Sequence, residues 1–211
     1  MKKKFGILFL IVILVFCASC GTAGKPLPDA AGTDTELPQI DSDPIYGIGF
    51  LSIEEFEEAI RFGTKNGELP ESSLAKEYLQ ILKSWDGYYY PGTVPEGYKL
   101  NGIGSQPQYN LYQITFVKEG SNWADVSIAM FREEGTTLEQ YVRGLYTGAM
   151  QNLQYKDGYY YDSIDNEPDN PLSQIFFEKD GVIFIAGFEK YWSWEQVMAF
   201  CEVQWVEVKK G

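Results

Sequence analysis

Three cysteines are the readiest nucleophiles in this 211-residue chain. Two of them, Cys17 and Cys20, close an apolar run and the third, Cys201, stands near the C-terminus. Thiol catalysis needs a thiolate, and a histidine usually generates it. The chain has no histidine at all. That absence removes Ser-His-Asp triads, Cys-His dyads, histidine metal sites and any switch built on an imidazole. Cys201 shares helical spacing with Trp194, Val197 and Met198, so a buried, unreactive thiol is expected. No G-x-S-x-G elbow and no G-x-x-x-x-G-K-[ST] phosphate loop occurs. No catalytic residue, metal ligand or cofactor follows from these patterns.

Carboxylates are the remaining acid–base groups. Residues 162–171, DSIDNEPDNP, gather Asp162, Asp165, Glu167 and Asp169. Oxygen ligands suit calcium, but the spacing lacks the D-x-D-x-D-G run and closing glutamate of an EF-hand. A solvated acidic turn is expected there, with calcium binding left open. A carboxylate pair could run glycoside hydrolysis without histidine. No pair stands out by spacing, and this hydrolase reading is the alternative to a binding function.

Aromatic side chains carry the leading reading, at 16% of the composition. Two YYY runs, 88–90 and 159–161, alternate across a strand, which sends the middle ring to the face opposite its neighbours. Tyr89 and Tyr160, joined by Trp123 and Trp192 from turns, are therefore the candidate ligand-binding residues. Flat rings with polar rims bind carbohydrate or protein. Tyrosine is also a good strand former on a half-exposed sheet, so a structural role competes with this one.

The N-terminus reads as an export signal: the basic MKKK, an apolar stretch, then the small residues of LVFCASCG at 14–21. The apolar stretch over 5–19 is shorter than the roughly 20 residues of a membrane-spanning helix. Cys17-Ala18-Ser19-Cys20-Gly21 resembles the lipoprotein box of bacteria. The resemblance makes Cys20 the lipidated residue and new N-terminus, with Cys17 standing where an aliphatic is usual. It implies a lipid anchor in the cell membrane and an extracytoplasmic location. Ordinary cleavage after Ala23 would instead leave a secreted protein. Loss of residues 1–19 removes Lys2, Lys3 and Lys4 from the 17 basic residues, leaving 14 against 30 acidic and a net charge of −16. Such a surface repels nucleic-acid phosphates, so no nucleic-acid partner is expected.

The elements that must position these side chains fall in order along the chain. Residues 20–50 are rich in Gly, Pro and acid and read as a flexible tether. Over 51–87, two amphipathic helices are expected, forming a short helical hairpin. Ser52 and Glu55 supply a capping box for the first, with Gly63 ending it; Ser72 or Ser73 caps the second. From 88 to 211 an α+β domain is expected. Within it LYQITFVKEG (111–120) aligns with LSQIFFEKDG (172–181), SIAMF (127–131) with FIAGF (184–188), and TLEQ (137–140) with SWEQ (193–196). DGYYY also occurs at both 86–90 and 157–161. The matches predict two β-β-β-α repeats, about 86–142 and 157–200, in one antiparallel sheet with the helices on one face.

Val94 to Leu100, VPEGYKL, with the strand pairs, the Asp180-Gly181 turn and a terminal helix after it, resembles a domain of unknown function common on membrane-anchored chains of Gram-positive bacteria. The resemblance spans roughly 88–208. It implies an exported α+β module and transfers no catalytic residue. The expectation is an anchored, non-catalytic module that binds carbohydrate or protein.

Overall fold

The computed structural model describes residues 47–121, 126–131, 135–145, 153–162, 174–188 and 192–210. The fold is mixed α+β with antiparallel strands. β1 is Ile48–Phe50, followed by helices α1 (Ile53–Phe62) and α2 (Ser73–Lys83). Then come β2 (Gly87–Tyr90), β3 (Tyr98–Gln106), β4 (Leu111–Lys118), β5 (Val126–Phe131) and helix α3 (Leu138–Leu145). The chain continues through β6 (Gln154–Lys156), β7 (Tyr159–Asp162), β8 (Gln174–Lys179), β9 (Val182–Phe188), α4 (Trp194–Cys201) and β10 (Gln204–Glu207).

Eight strands form one sheet in the order β1-β3-β4-β5-β9-β8-β7-β6, and β10 pairs with β2 in a separate ribbon. Register follows hydrophobic alternation. Ile103, Ile114, Ile128, Ala186 and Ile175 stand opposite one another across five strands, and all are buried. A one-residue slip would turn that whole row to the other face, which is why the pairing is fixed. Two hairpins close through Asp157-Gly158 and Asp180-Gly181, with positive φ at both central residues, as a type I′ turn requires.

Local signals set the helix ends. The Ser52 hydroxyl accepts from the Glu55 amide at 3.2 Å, and the Glu55 carboxylate accepts from the Leu51 amide at 2.9 Å. The box thus closes one residue earlier than its usual form. Ser72 caps α2, whose helix stops at Lys83, so Trp85 lies just beyond it. Thr137 with Gln140, and Ser193 with Gln196, make reciprocal capping bonds at α3 and α4.

Four expectations need correction. The stretch read as tether reaches too far, because Ile48 and Phe50 are buried and β1 pairs with β3 at the sheet's edge. The helices do not share one face. The stripe Leu138, Tyr141 and Val142 of α3 packs against Phe176 and Ile183, whereas Val197, Phe200 and Cys201 of α4 join the main core. In β8 and β9, Phe176 and Ile183 point opposite to Phe177 and Phe184, so bulky apolar residues line both faces and both need cover. The segments 111–118 and 174–179 do occupy β4 and β8, either side of the central β5–β9 pair. The two DGYYY segments diverge, however. Asp157-Gly158 is a turn, while Gly87 begins β2, outside the main sheet. Finally, a strand, β10, follows the last helix and had no counterpart in the expected repeats.

Tyr112 joins the ribbon to the sheet. Its hydroxyl donates to the Tyr89 carbonyl at 2.7 Å and accepts from the Tyr89 amide. Tyr112→Phe keeps the ring and leaves both buried backbone groups without this partner. It is expected to cost about 1–3 kcal/mol in chemical denaturation, the range for orphaned buried polar groups. A loss below about 0.5 kcal/mol would show that the hydroxyl does not seal the strand.

Candidate functional site

The hairpin β6–β7 forms at the end of the sheet away from β1. Tyr155 and Tyr160 are direct cross-strand partners, with ring centroids 4.7 Å apart and planes inclined at 47°. Tyr155 is 63% exposed, against half-burial for Tyr160, which packs on the α3 cluster around Phe176. One ring is thus held by the core and presents the other to solvent. The opposite face of the same hairpin is also aromatic. Tyr161 lies edge-on to Trp194 at 5.5 Å, and the Lys156 ammonium sits 5.1 Å from the Trp194 ring. The Tyr161 hydroxyl donates to Gln154 at 2.7 Å, adding a polar rim.

The four residues expected to make an aromatic ladder do not meet on one surface. Tyr160 is on the sheet face covered in part by α3. Tyr89 is 9% exposed, wedged edge-on between Phe184 at 5.3 Å and Trp205 at 5.1 Å, and its hydroxyl donates to Asp180 at 3.0 Å. Trp192 is 6% exposed, with Tyr98, Phe188 and Phe200 around it and its Nε1–H on the Tyr98 hydroxyl at 3.1 Å. Both are core residues, a correction that follows from their apolar neighbours on the side of α4 and the ribbon. Trp123, the acidic turn with Asp165, Glu167 and Asp169, and Cys20 lie outside the described residues. Tyr155 was missed, although a Lys-Asp-Gly turn places its neighbour Tyr155 opposite Tyr160 by the rule for two-residue hairpins.

Cys201 ends α4 and is 2% exposed. Burial pushes its thiol well above the usual range, so thiolate is scarce at neutral pH. Burial likewise raises Tyr112, and raises Tyr88 together with its hydrogen bond to Glu57 at 2.9 Å. Each of these groups is neutral when protonated, and each holds its proton more tightly folded than unfolded. Their contribution to stability is therefore complete below the unfolded values, about 8.5 for cysteine and about 10 for tyrosine, and is lost as pH rises beyond them. Denaturation midpoints are expected to fall steadily from about pH 9 upward, with Cys201 modified by thiol reagents only as the chain opens. A midpoint that holds constant to pH 11, or rapid modification at pH 7, would contradict this burial.

A surface cleft of about 280 Å³ is lined by Thr93, Pro95, Glu96, Ser193, Glu195, Gln196 and Ala199. Both glutamates are exposed, without the apolar surroundings that make a carboxyl a general acid. Ser193 and Gln196 are engaged in the α4 cap. Among the described residues no group of three or more Cys, Asp or Glu side chains is arranged to hold a metal ion, and no helix is long and apolar enough to cross a membrane. No family model, no curated protein and no solved structure matches this chain.

Proposed function

We propose that this chain is a lipid-anchored, extracytoplasmic module that binds carbohydrate or protein without catalysis. The anchor rests on the sequence run at Cys17 to Gly21, with Cys20 as the acylated residue. Two or more acyl chains bind a membrane far more firmly than one, at about 0.8 kcal/mol per buried CH₂. The single observation that carries the binding reading is the Tyr155–Tyr160 pair. It sets a mostly exposed ring against a supported one on a short hairpin. Rings held this way lose little side-chain freedom on binding, which is why tyrosine dominates contact surfaces.

Tyr155→Ala separates function from folding. Since the side chain is mostly in solvent, stability is expected to stay within about 0.5 kcal/mol. A glycan array and a pull-down from envelope extracts, run with wild type and variant, are expected to show a ligand whose affinity falls about tenfold or more in the variant. Silence of the folded wild-type chain in both assays would sink the proposal.

The alternative, a carboxylate-dependent hydrolase, has one foothold: Glu96 and Glu195 line the same cleft. It requires hydrolysis of a glycoside that is abolished in both Glu96→Gln and Glu195→Gln.

A further inference from the structure

We infer that α3 is a displaceable cover, and that the sheet face beneath it is a docking groove for an amphipathic helix of a protein partner. Among the described residues two apolar clusters form, and they are unequal. The main one takes in side chains of α1, α2, α4, the ribbon and the inner face of the sheet. The second consists of Leu138, Tyr141 and Val142 from α3 with Phe176 of β8 and Ile183 of β9. The helix thus rests on the sheet through a small satellite of the core.

Length makes α3 depend on that contact. It has eight residues, and isolated helices shorter than about 12–15 residues are marginal in water. An element held by few buried apolar side chains opens locally before the domain unfolds as a whole. The other helix of the same length has a different footing. In α4, Val197 and Phe200 have no exposed surface and belong to the main core, and the Gly92 and Thr93 amides donate to its last carbonyls. The two helices carry the same kind of reciprocal cap, so packing and not capping separates them.

What α3 uncovers is apolar and continuous. Phe176 and Ile183 lose their cover, with Ile185 directly opposite Phe176 on one side and Tyr160 opposite it on the other. The geometry of this surface selects its occupant. Leu138, Tyr141 and Val142 meet it at i, i+3 and i+4, the spacing that a helix lying in a groove presents. An extended strand finds no edge here, because β8 is already paired with β7 and β9 on its two sides. A sugar would leave its hydroxyls unbonded against Phe176, Ile183 and Ile185, at a desolvation cost. A partner helix with apolar residues at those three positions replaces what α3 supplies, and its apparent affinity is set by the fraction of chains in which α3 is open.

The test uses the full chain in mild detergent. In hydrogen exchange, the Tyr141 and Val142 amides are expected to exchange at least tenfold faster than those of Phe184 and Ala186 in β9. The probe for the groove is a labelled peptide of residues 136–145, TTLEQYVRGL, added in trans. Val142→Asp puts a carboxylate into the small cluster and expels the resident helix, so peptide affinity should rise at least tenfold over wild type, with amide shifts at Phe176 and Ile183. Leu138→Ala is the milder variant and should raise affinity in the same direction; it carries the test where Val142→Asp does not fold. A peptide with aspartate in place of its valine should not bind either chain. Exchange of α3 at the same rate as β9, no peptide binding to a variant whose main core stays folded, equal binding of the aspartate peptide, or a dimer formed by trading α3 between two copies would each overturn the inference. None of these results turns on the Tyr155 ring, so the ligand reading and the groove stand or fall separately.

Discussion

Phe56→Ala is expected to remove about 3–5 kcal/mol, the range for truncating a buried aromatic, and so a large part of a stability that for most domains totals about 5–15 kcal/mol. Phe56 projects from α1 with no exposed surface. Its ring centroid lies 5.2 Å from Phe50, 5.3 Å from Tyr88, 5.4 Å from Tyr112 and 6.4 Å from Trp85. Those four rings come from β1, β2, β4 and the residues just past α2, so one side chain ties α1 to both the sheet and the ribbon. Deletion leaves a void that rigid rings cannot collapse into, and the cavity penalty adds to the lost transfer energy. Urea melts should show a lower midpoint with an unchanged slope. A loss under about 1 kcal/mol would mean that the helices are not packed on this core.

Gly92→Ala is expected to be nearly as damaging for a different reason. A Cβ at Gly92 would stand 2.3 Å from the Glu202 carbonyl oxygen and 2.8 Å from that of Ala199. Both obstacles are backbone, so no rotamer change relieves them. The same approach lets the Gly92 and Thr93 amides donate to the Phe200 and Ala199 carbonyls at 3.3 and 3.0 Å, satisfying the C-terminal end of α4. Pushing the Gly92 segment away from the end of α4 costs overpacking strain of about 1–3 kcal/mol and exposes those carbonyls in addition. Gly104→Ala is the control. Nothing lies within 4 Å of its added Cβ, and stability should change by less than about 0.5 kcal/mol. Equal effects of the two substitutions would contradict the close packing of Gly92 on α4.

What the sequence disclosed and what it hid divide along physical lines. Short-range rules worked: Ser52, Ser72, Thr137 and Ser193 cap helices because a side-chain oxygen two or three residues from an amide needs no tertiary context. Hydrophobic alternation is equally local, and it accounts for Ile114, Phe116, Ile175 and Phe177 sharing one core. Burial of a given aromatic was not readable in this way. Tyr89 and Tyr160 sit in the same DGYYY string, yet one fills the gap between ribbon and sheet and the other lies beside an exposed ring. The difference comes from partners remote in sequence, Tyr112 and Trp205 for Tyr89, and α3 for Tyr160. Trp192 was placed on a surface because it follows a strand, but Tyr98, 94 residues earlier, receives its indole N–H. The position of α3 was hidden for a similar reason. A strand with apolar residues on both faces, as in QIFFEK, does not say which helix covers which side.

Mass spectrometry of the native N-terminus is the most direct test of a moored binding module. The account predicts a mature chain that begins at Cys20 and carries acyl groups. A chain that retains Met1, or one released into the medium without lipid, would contradict it.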